Sequence, residues 1–314
     1  MRLGAMEQPF PVGLAPMAGF TDRIFRALCR EQGADFAYTE MISAKGLLYG
    51  GAATSGLLET DAADRPLIVQ LFGREPEIVA AMAARVCAAL PGVLAIDLNM
   101  GCPAPKITGN GEGSALMNEP KQAARVIEAC ARAVSVPVTV KLRAGWDAAH
   151  ITAVPFAHMC EESGAQCLAL HPRTRAQQYA GTADWRLIGE VKAAVGIPVL
   201  GGGDVRTGAD AVRLRAETGC DGILIGRGAL GDPFIFAEVR AALRDEAYQP
   251  PTAEARREMM LRHAAAEAAE KGDRAIVELR KHLSFYLRGM PGAAALRARL
   301  NRCETMRELT ELCT

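Results

Sequence analysis

The sequence predicts an α/β protein, a (β/α)8 TIM barrel followed by a small all-helical C-terminal domain, and three observations carry that expectation. Short runs rich in Val, Ile and Leu recur eight times over about 230 residues. Longer amphipathic stretches separate most of them, as a parallel sheet requires, because each parallel strand needs a crossover to reach the next. The runs end on polar residues or glycine, at the edge where barrels of this kind build their sites.

In chain order the runs are VGLAPM (12–17), DFAYTEM (35–41), PLIVQLF (66–72), LAIDLNM (94–100), VTVKLR (138–143), CLALHPR (167–173), IPVLGGG (197–203) and GILIGR (222–227). Helical spacing is clear in EPEIVAAMAARVCAAL (75–90), EPKQAARVIEACARAV (119–134) and WRLIGEVKAAV (185–195), and least clear after the second run. A doubly wound open sheet is the competing fold, but no Gly-x-Gly-x-x-Gly follows the first run. After Leu243 the proline pair in DEAYQPPTAE interrupts helix, and from about Ala253 onward the pattern is helical without a strand candidate. The expected division is residues 1–248 for the barrel and 249–314 for the helical domain.

Lys plus Arg equal Asp plus Glu, 36 against 36, so the bulk charge demands neither a nucleic-acid nor a membrane partner and any basic surface must be local. The nine cysteines include no CxxC pair, which fits a reducing compartment better than a disulfide framework or a zinc site. No signal-peptide pattern opens the chain, and no apolar run reaches the roughly 18–20 residues needed to span a bilayer. A soluble, cytoplasmic, metal-free monomer is the expectation.

The polar strand ends are Pro16 and Met17, Glu40, Gln70, Asn99 with Cys102, Lys141 with Arg143, His171 with Arg173, Gly201 to Asp204, and Gly226 with Arg227. The glycine clusters GGGDVRTGAD and GRGALGDP each lead into a helix, so their amides suit a phosphate at the last two strands; the alternative is that they only make turns. Lys141 would project into the barrel mouth, where a desolvated ammonium needs an electron-rich ligand such as a flavin, with Gln70 meeting the amide-like edge of the ring. The structural alternatives are a buried amide for Gln70 and an ion pair with Glu40 or Asp97 for Lys141.

The segments APMAGFTDRIFR (15–26), VQLFG (69–73), DLNMGCPAPKITGNGEGSAL (97–116), KLRAGWD (141–147), HPRTRAQQYAGTADW (171–185), GGGD (201–204) and IGRGALGDP (225–233) together resemble the tRNA-dihydrouridine synthases. RKHLSFYLRGMPGA (280–293) extends the likeness to the family's bacterial members. The resemblance implies FMN on the barrel mouth, NADPH as reductant, and reduction of the C5=C6 bond of particular uridines in tRNA. Carried over by motif, Pro16, Met17, Ala18, Gln70, Lys141, His171, Gly202, Gly203, Asp204, Gly226 and Arg227 would bind the flavin. Cys102 would be the acid. One departure is visible: the family's asparagine before the glycine-aspartate of the seventh strand is Gly202 here, so rearranged flavin contacts are expected rather than loss of flavin.

Reduction of uracil needs a hydride at C6 and a proton at C5, and a cysteine with a reference pKa near 8.5 stays a protonated donor at neutrality. The glycines at 109, 111 and 113 predict a mobile cover over the base, and Asn99 would orient base or flavin. Arg143, and after the sixth run Arg173, Arg175 and Tyr179, would meet the RNA near the site, Tyr179 by stacking. In RAIVELRKHLSFYLRG (274–289), Ile276, Leu279, Leu283 and Leu287 share one face, while Arg274, Lys281 and Arg288 form an opposite stripe suited to phosphates. The rival functions are an FMN-dependent oxidoreductase of a small dihydropyrimidine-like substrate and a noncatalytic tRNA-binding module.

Overall fold

Strands β1 (Val12–Leu14), β2 (Phe36–Tyr38), β3 (Leu67–Phe72), β4 (Ala95–Met100), β5 (Val138–Gly145), β6 (Cys167–Thr174), β7 (Val199–Gly202) and β8 (Gly222–Ile225) pair in parallel, each with the next, in a computed structural model that describes residues 1–313. β8 returns to β1, with Ile223 opposite Val12 and Ile225 opposite Leu14, so the sheet closes into the predicted barrel. Closure leaves no open edge among these strands.

Alternation along the strands sorts the apolar residues into two layers. Phe36, Tyr38, Ile68, Ala95, Cys167, Ala169, Leu200 and Leu224 fill the barrel interior. A hairpin of Arg2–Leu3 with Met6–Glu7 adds Leu3 and Met6 to that inner cluster. The outward set, including Val69, Leu71, Ile96, Leu98, Val140 and Leu142, packs against the surrounding helices.

Those helices are α1 (Arg23–Glu31), α2 (Pro76–Ala89), α3 (Pro120–Ala133), α4 (Ala153–Glu162), α5 (Arg186–Ala194), α6 (Gly208–Thr218) and α7 (Ile235–Leu243). α2 and α3 each begin on proline, which fits a first turn because its N–H has no helical partner to lose. Thr207 and Asp210 form a reciprocal capping box at the start of α6. The weak connection after β2 is built from two five-residue helices, Ala44–Leu48 and Ala52–Gly56, instead of one long helix.

Beyond α7 the chain is helical: α8 (Ala253–Lys271), α9 (Arg274–Tyr286), α10 (Ala293–Leu300) and α11 (Met306–Cys313). α1 joins the two regions through its periodicity. Phe25 and Cys29 face the barrel core, while Ile24 and Leu28, one position earlier on the helix, enter the second core beside Met260, Ile276 and Leu283. At this seam Asp22, His263 and Glu267 bring potential ligand atoms within 4.8 Å of one another, and Lys271 donates to Glu267 at 2.6 Å. Among the described residues no helix is long and apolar enough to cross a membrane.

Candidate active site

The C-terminal ends of the barrel strands surround a cleft with about 1090 Å³ of empty space, part of it open to solvent. All eleven residues expected to bind a cofactor line it: Pro16, Met17 and Ala18 after β1, Gln70 on β3, Lys141 on β5, His171 on β6, Gly202, Gly203 and Asp204 at the end of β7, and Gly226 and Arg227 after β8. Cys102, Asn99, Arg143 and Tyr179 line the same cleft. Strand register explains the convergence, because Asn99 lies opposite Lys141, and Arg143 opposite His171.

Cys102 sits in a tight loop. Asn99 Oδ1 accepts from the amides of Gly101 (3.2 Å) and Cys102 (2.9 Å), and the Cys102 carbonyl accepts from the Ser114 amide (3.1 Å) and hydroxyl (2.9 Å). A Cβ on Gly101 would lie 3.3 Å from the Leu142 carbonyl carbon, so glycine lets the loop cross β5 closely. Burial pushes the Cys102 thiol upward, with Arg143 and Lys141 opposing, so the sulfur stays protonated at neutral pH. In the segment expected to be a mobile cover, Pro105–Thr108 is a short helix with no buried residue, and Gly113–Asn118 is a 3₁₀ turn whose residues Gly113 to Met117 are buried.

Positive charge dominates the cleft walls of this neutral chain. Lys141 has neither a hydrogen bond nor a carboxylate within 4.0 Å among the described residues, contrary to the ion-pair alternative, and burial followed by Arg143 lowers its pKa to about 8. Arg143 donates to the carbonyls of Gly101 (2.7 Å), Thr174 (3.0 Å) and Gln178 (2.8 Å), and its guanidinium lies 5.6 Å from the Tyr179 ring centre. Arg227 flanks that ring at 4.7 Å. Burial and then the charges of Lys141, Arg143, Arg173 and Arg227 hold the His171 pKa down to about 2, so its imidazole is neutral and no source of a proton at pH 7.

Asp204 answers part of this charge. It accepts from Arg173 (2.7 Å), the Ala183 amide (2.9 Å) and Arg227 (3.3 Å). Gly203, at φ +101°, makes the turn that places it, and a Cβ there would sit 3.0 Å from both Ala183 and His171. A Cβ at Gly202 would lie 3.0 Å from the Leu224 carbonyl oxygen, so a side chain at this position needs a shift between β7 and β8. The amides of Gly203 and Gly226 find no protein acceptor among the described residues.

Two expected positions, Arg173 and Glu40, require correction, and the stripe on the helical region requires refinement. Arg173 is 1% exposed and lies behind the cleft wall, donating to Ala180, Gly181 and Asp204, so it stands as a support for Asp204 and not as a surface contact for RNA. Glu40 turns its carboxylate to the Gly19 amide, and the next residue, Met41, lines the cleft in its place. On the helical region Arg274, Lys281 and Arg288 are all exposed, opposite the buried Ile276, Leu279, Leu283 and Leu287. Lys281 reaches back to the rim, 5.0 Å from the Phe20 ring centre; Arg274 is paired with Glu278 at 2.9 Å, and Arg288 lies over Phe285 at 5.3 Å. Met41 and Arg206 also line the cleft; Met41 closes the second apolar run and Arg206 lies within GGGDVRTGAD.

A closed barrel whose mouth gathers a protonated thiol, a partnerless ammonium and unpaired glycine amides defines a TIM-barrel enzyme. The family model described as Dihydrouridine synthase (Dus) matches residues 13–314. The chain is 40% identical over 322 residues to the probable tRNA-dihydrouridine synthase of Mycobacterium tuberculosis, covering 98% of this chain and 82% of that protein. It is 39% identical over 307 residues to tRNA-dihydrouridine synthase B of Pseudomonas aeruginosa, covering 97% and 92%, and 37% identical over 314 residues to the probable tRNA-dihydrouridine synthase 1 of Synechocystis sp., covering 99% and 88%. The chain belongs to the dihydrouridine synthase family.

Proposed function

We propose that this protein reduces particular uridines in tRNA to 5,6-dihydrouridine, with FMN as bound cofactor and NADPH as reductant, and that Cys102 gives the proton to C5. The observation that carries the reading is the sharing of one cleft by the protonated Cys102 thiol and the unpartnered Lys141 ammonium. The residues suit FMN on three counts: Lys141 has no hydrogen bond and no carboxylate within 4.0 Å among the described residues, the Gly203 and Gly226 amides lack acceptors beside Arg227, and Gln70 keeps one N–H and one lone pair after its two protein bonds. Lys141 and Gln70 would hold the pyrimidine edge of the ring, and Gly203, Gly226 and Arg227 the phosphate, with Pro16, Met17, Ala18, His171, Gly202 and Asp204 completing the bed. When bound, the flavin supplies the hydride for C6.

Cys102 holds its proton because burial disfavours the thiolate, which is the state a general acid needs before the step. Asn99 fixes the loop that carries the sulfur, and Arg143, clamped by three carbonyls, supplies charge beside it to receive the thiolate afterwards. Tyr179, 54% exposed between two guanidinium groups, offers a flat face for an extruded base. On this reading residues 1–248 are the FMN-binding catalytic domain, and residues 249–314 bind tRNA in a cytoplasmic, monomeric protein. Lys281 and Arg288 track phosphates, and Arg274 joins them on exchanging its Glu278 partner.

The test is Cys102→Ala assayed on unmodified tRNA by mass spectrometry of dihydrouridine. FMN content and NADPH-driven bleaching of the flavin should persist while product formation falls at least about 100-fold, the lower range for loss of a general acid. Wild-type turnover in the variant removes the acid assignment, and a protein that takes up no FMN removes the reading.

A further inference from the structure

Beneath Cys102 runs a chain of buried polar groups whose direction is dictated from one end. The amides of Gly101 and Cys102 only donate, so the Asn99 atom facing them is oxygen. Asn99 Nδ2 therefore points at Gln70 and donates to Oε1 at 2.8 Å, which turns Gln70 Nε2 downward to Asp97 Oδ2, also at 2.8 Å. Asp97 must accept there. Its other oxygen, Oδ1, lies 2.5 Å from the Thr139 hydroxyl. Asp97, Gln70 and Thr139 are at most 1% exposed and Asn99 is 8% exposed, so water cannot substitute for a missing partner without entering the core.

We propose that Asp97 is a positioning residue: by presenting an acceptor at Oδ2 it matches the amide sense that the Gly101 and Cys102 amides impose through Asn99, and so locks Gln70 and Asn99 in the arrangement that holds the Cys102 loop over the cleft. This deepens the proposed function, since the thiol it places is the acid assigned above. The contact to Thr139 makes the arrangement robust, because a proton on Asp97 can reside on Oδ1 facing the threonine oxygen and leave Oδ2 free to accept. The sense of the chain also determines what Gln70 leaves for a ligand, since reversing it exchanges the donor and acceptor that face the cleft.

Swapping acid and amide tests the directionality. In Asn99→Asp the Cys102 amide keeps its acceptor, but Gln70 then meets an acceptor at both ends. Adding Asp97→Asn supplies an N–H below, so the double variant rebuilds a complete chain running the opposite way. The readout is carbamidomethylation of Cys102 in flavin-free protein, followed by peptide-resolved mass spectrometry with circular dichroism as the check of fold. Asp97→Asn, which keeps an acceptor, should alkylate within about twofold of wild type. Asp97→Leu and Asn99→Asp should alkylate about tenfold faster, the factor expected for loss of one buried hydrogen bond, and the double variant should return to within about threefold of wild type.

If Asp97→Leu does not fold, the swap pair alone decides. Absence of rescue in the double variant, or an Asp97→Leu protein that folds and alkylates at the wild-type rate, overturns the proposal. The readout needs neither flavin nor tRNA. It therefore stands apart from the Cys102→Ala test, whose failure would remove the acid role without touching the coupling.

Discussion

Replacing Lys141 by methionine should stabilise the flavin-free protein at neutral pH. The ammonium has no hydrogen bond and no carboxylate within 4.0 Å among the described residues, and burial first, then Arg143, lowers its pKa from 10.5 to about 8. At 1.36 kcal/mol per factor of ten, that depression amounts to about 3 kcal/mol against the charged form. The cleft is open to solvent, so a discounted gain of about 1–3 kcal/mol is expected, or ~2–5 °C for a chain of this size. Methionine keeps the length of the apolar stem and removes only the charge.

The sign follows from linkage: below about pH 8 both folded and unfolded chains carry the proton and the folded state bears the whole penalty. Between about 8 and 10.5 the folded form sheds the proton that the unfolded form retains, so the wild type recovers stability and the advantage of the variant shrinks. Guanidinium denaturation of both flavin-free proteins at pH 7 and pH 9.5 measures this. The same variant should bind FMN more weakly, having lost the cation offered to the ring. A variant no more stable than wild type at pH 7, or one with an equal gain at both pH values, refutes the picture of an unsatisfied ammonium awaiting a ligand.

Further outcomes follow from the same geometry. Because burial holds the Cys102 thiol above its ordinary range, alkylation of the flavin-free protein should rise steadily with pH through 9, and a plateau already reached by pH 8 would contradict a protonated donor. Asp204→Leu leaves the 1% exposed Arg173 without its carboxylate, at a cost of about 3–5 kcal/mol read as a lower denaturant midpoint; unchanged stability would show that the pair is not a support. Lys281→Glu with Arg288→Glu should weaken tRNA binding and reduce the salt slope by about two, while NADPH-driven flavin reduction continues; unaltered tRNA affinity would move the RNA footprint elsewhere.

The cleft was legible in the sequence to the extent that side-chain position depends on strand periodicity. A residue closing an apolar run must stand at the barrel mouth, which brings Gln70, Lys141, His171 and the glycine clusters together before any coordinates exist. The same rule misplaced Glu40, because β2 ends at Tyr38, two residues short of it, and its carboxylate accepts from the Gly19 amide while Met41 lines the cleft. It also left Arg173 at the surface. Its long side chain bends back to the carbonyls of Ala180 and Gly181, a destination set by a loop several residues later in the chain.

Composition and pattern alone determined the eight-stranded barrel, the helical region after it and the set of residues at the strand ends, since alternation and helical spacing are local properties of the chain. Only the tertiary structure decided which of these residues are charged, free or committed. The Lys141 ammonium has no carboxylate within 4.0 Å among the described residues, because Asp97 on the adjacent strand turns its oxygens to Gln70 and Thr139, and Gln70 and Asn99 link that carboxylate to the Cys102 loop. Burial and hydrogen-bond direction belong to the space between elements, which no single stretch of sequence contains.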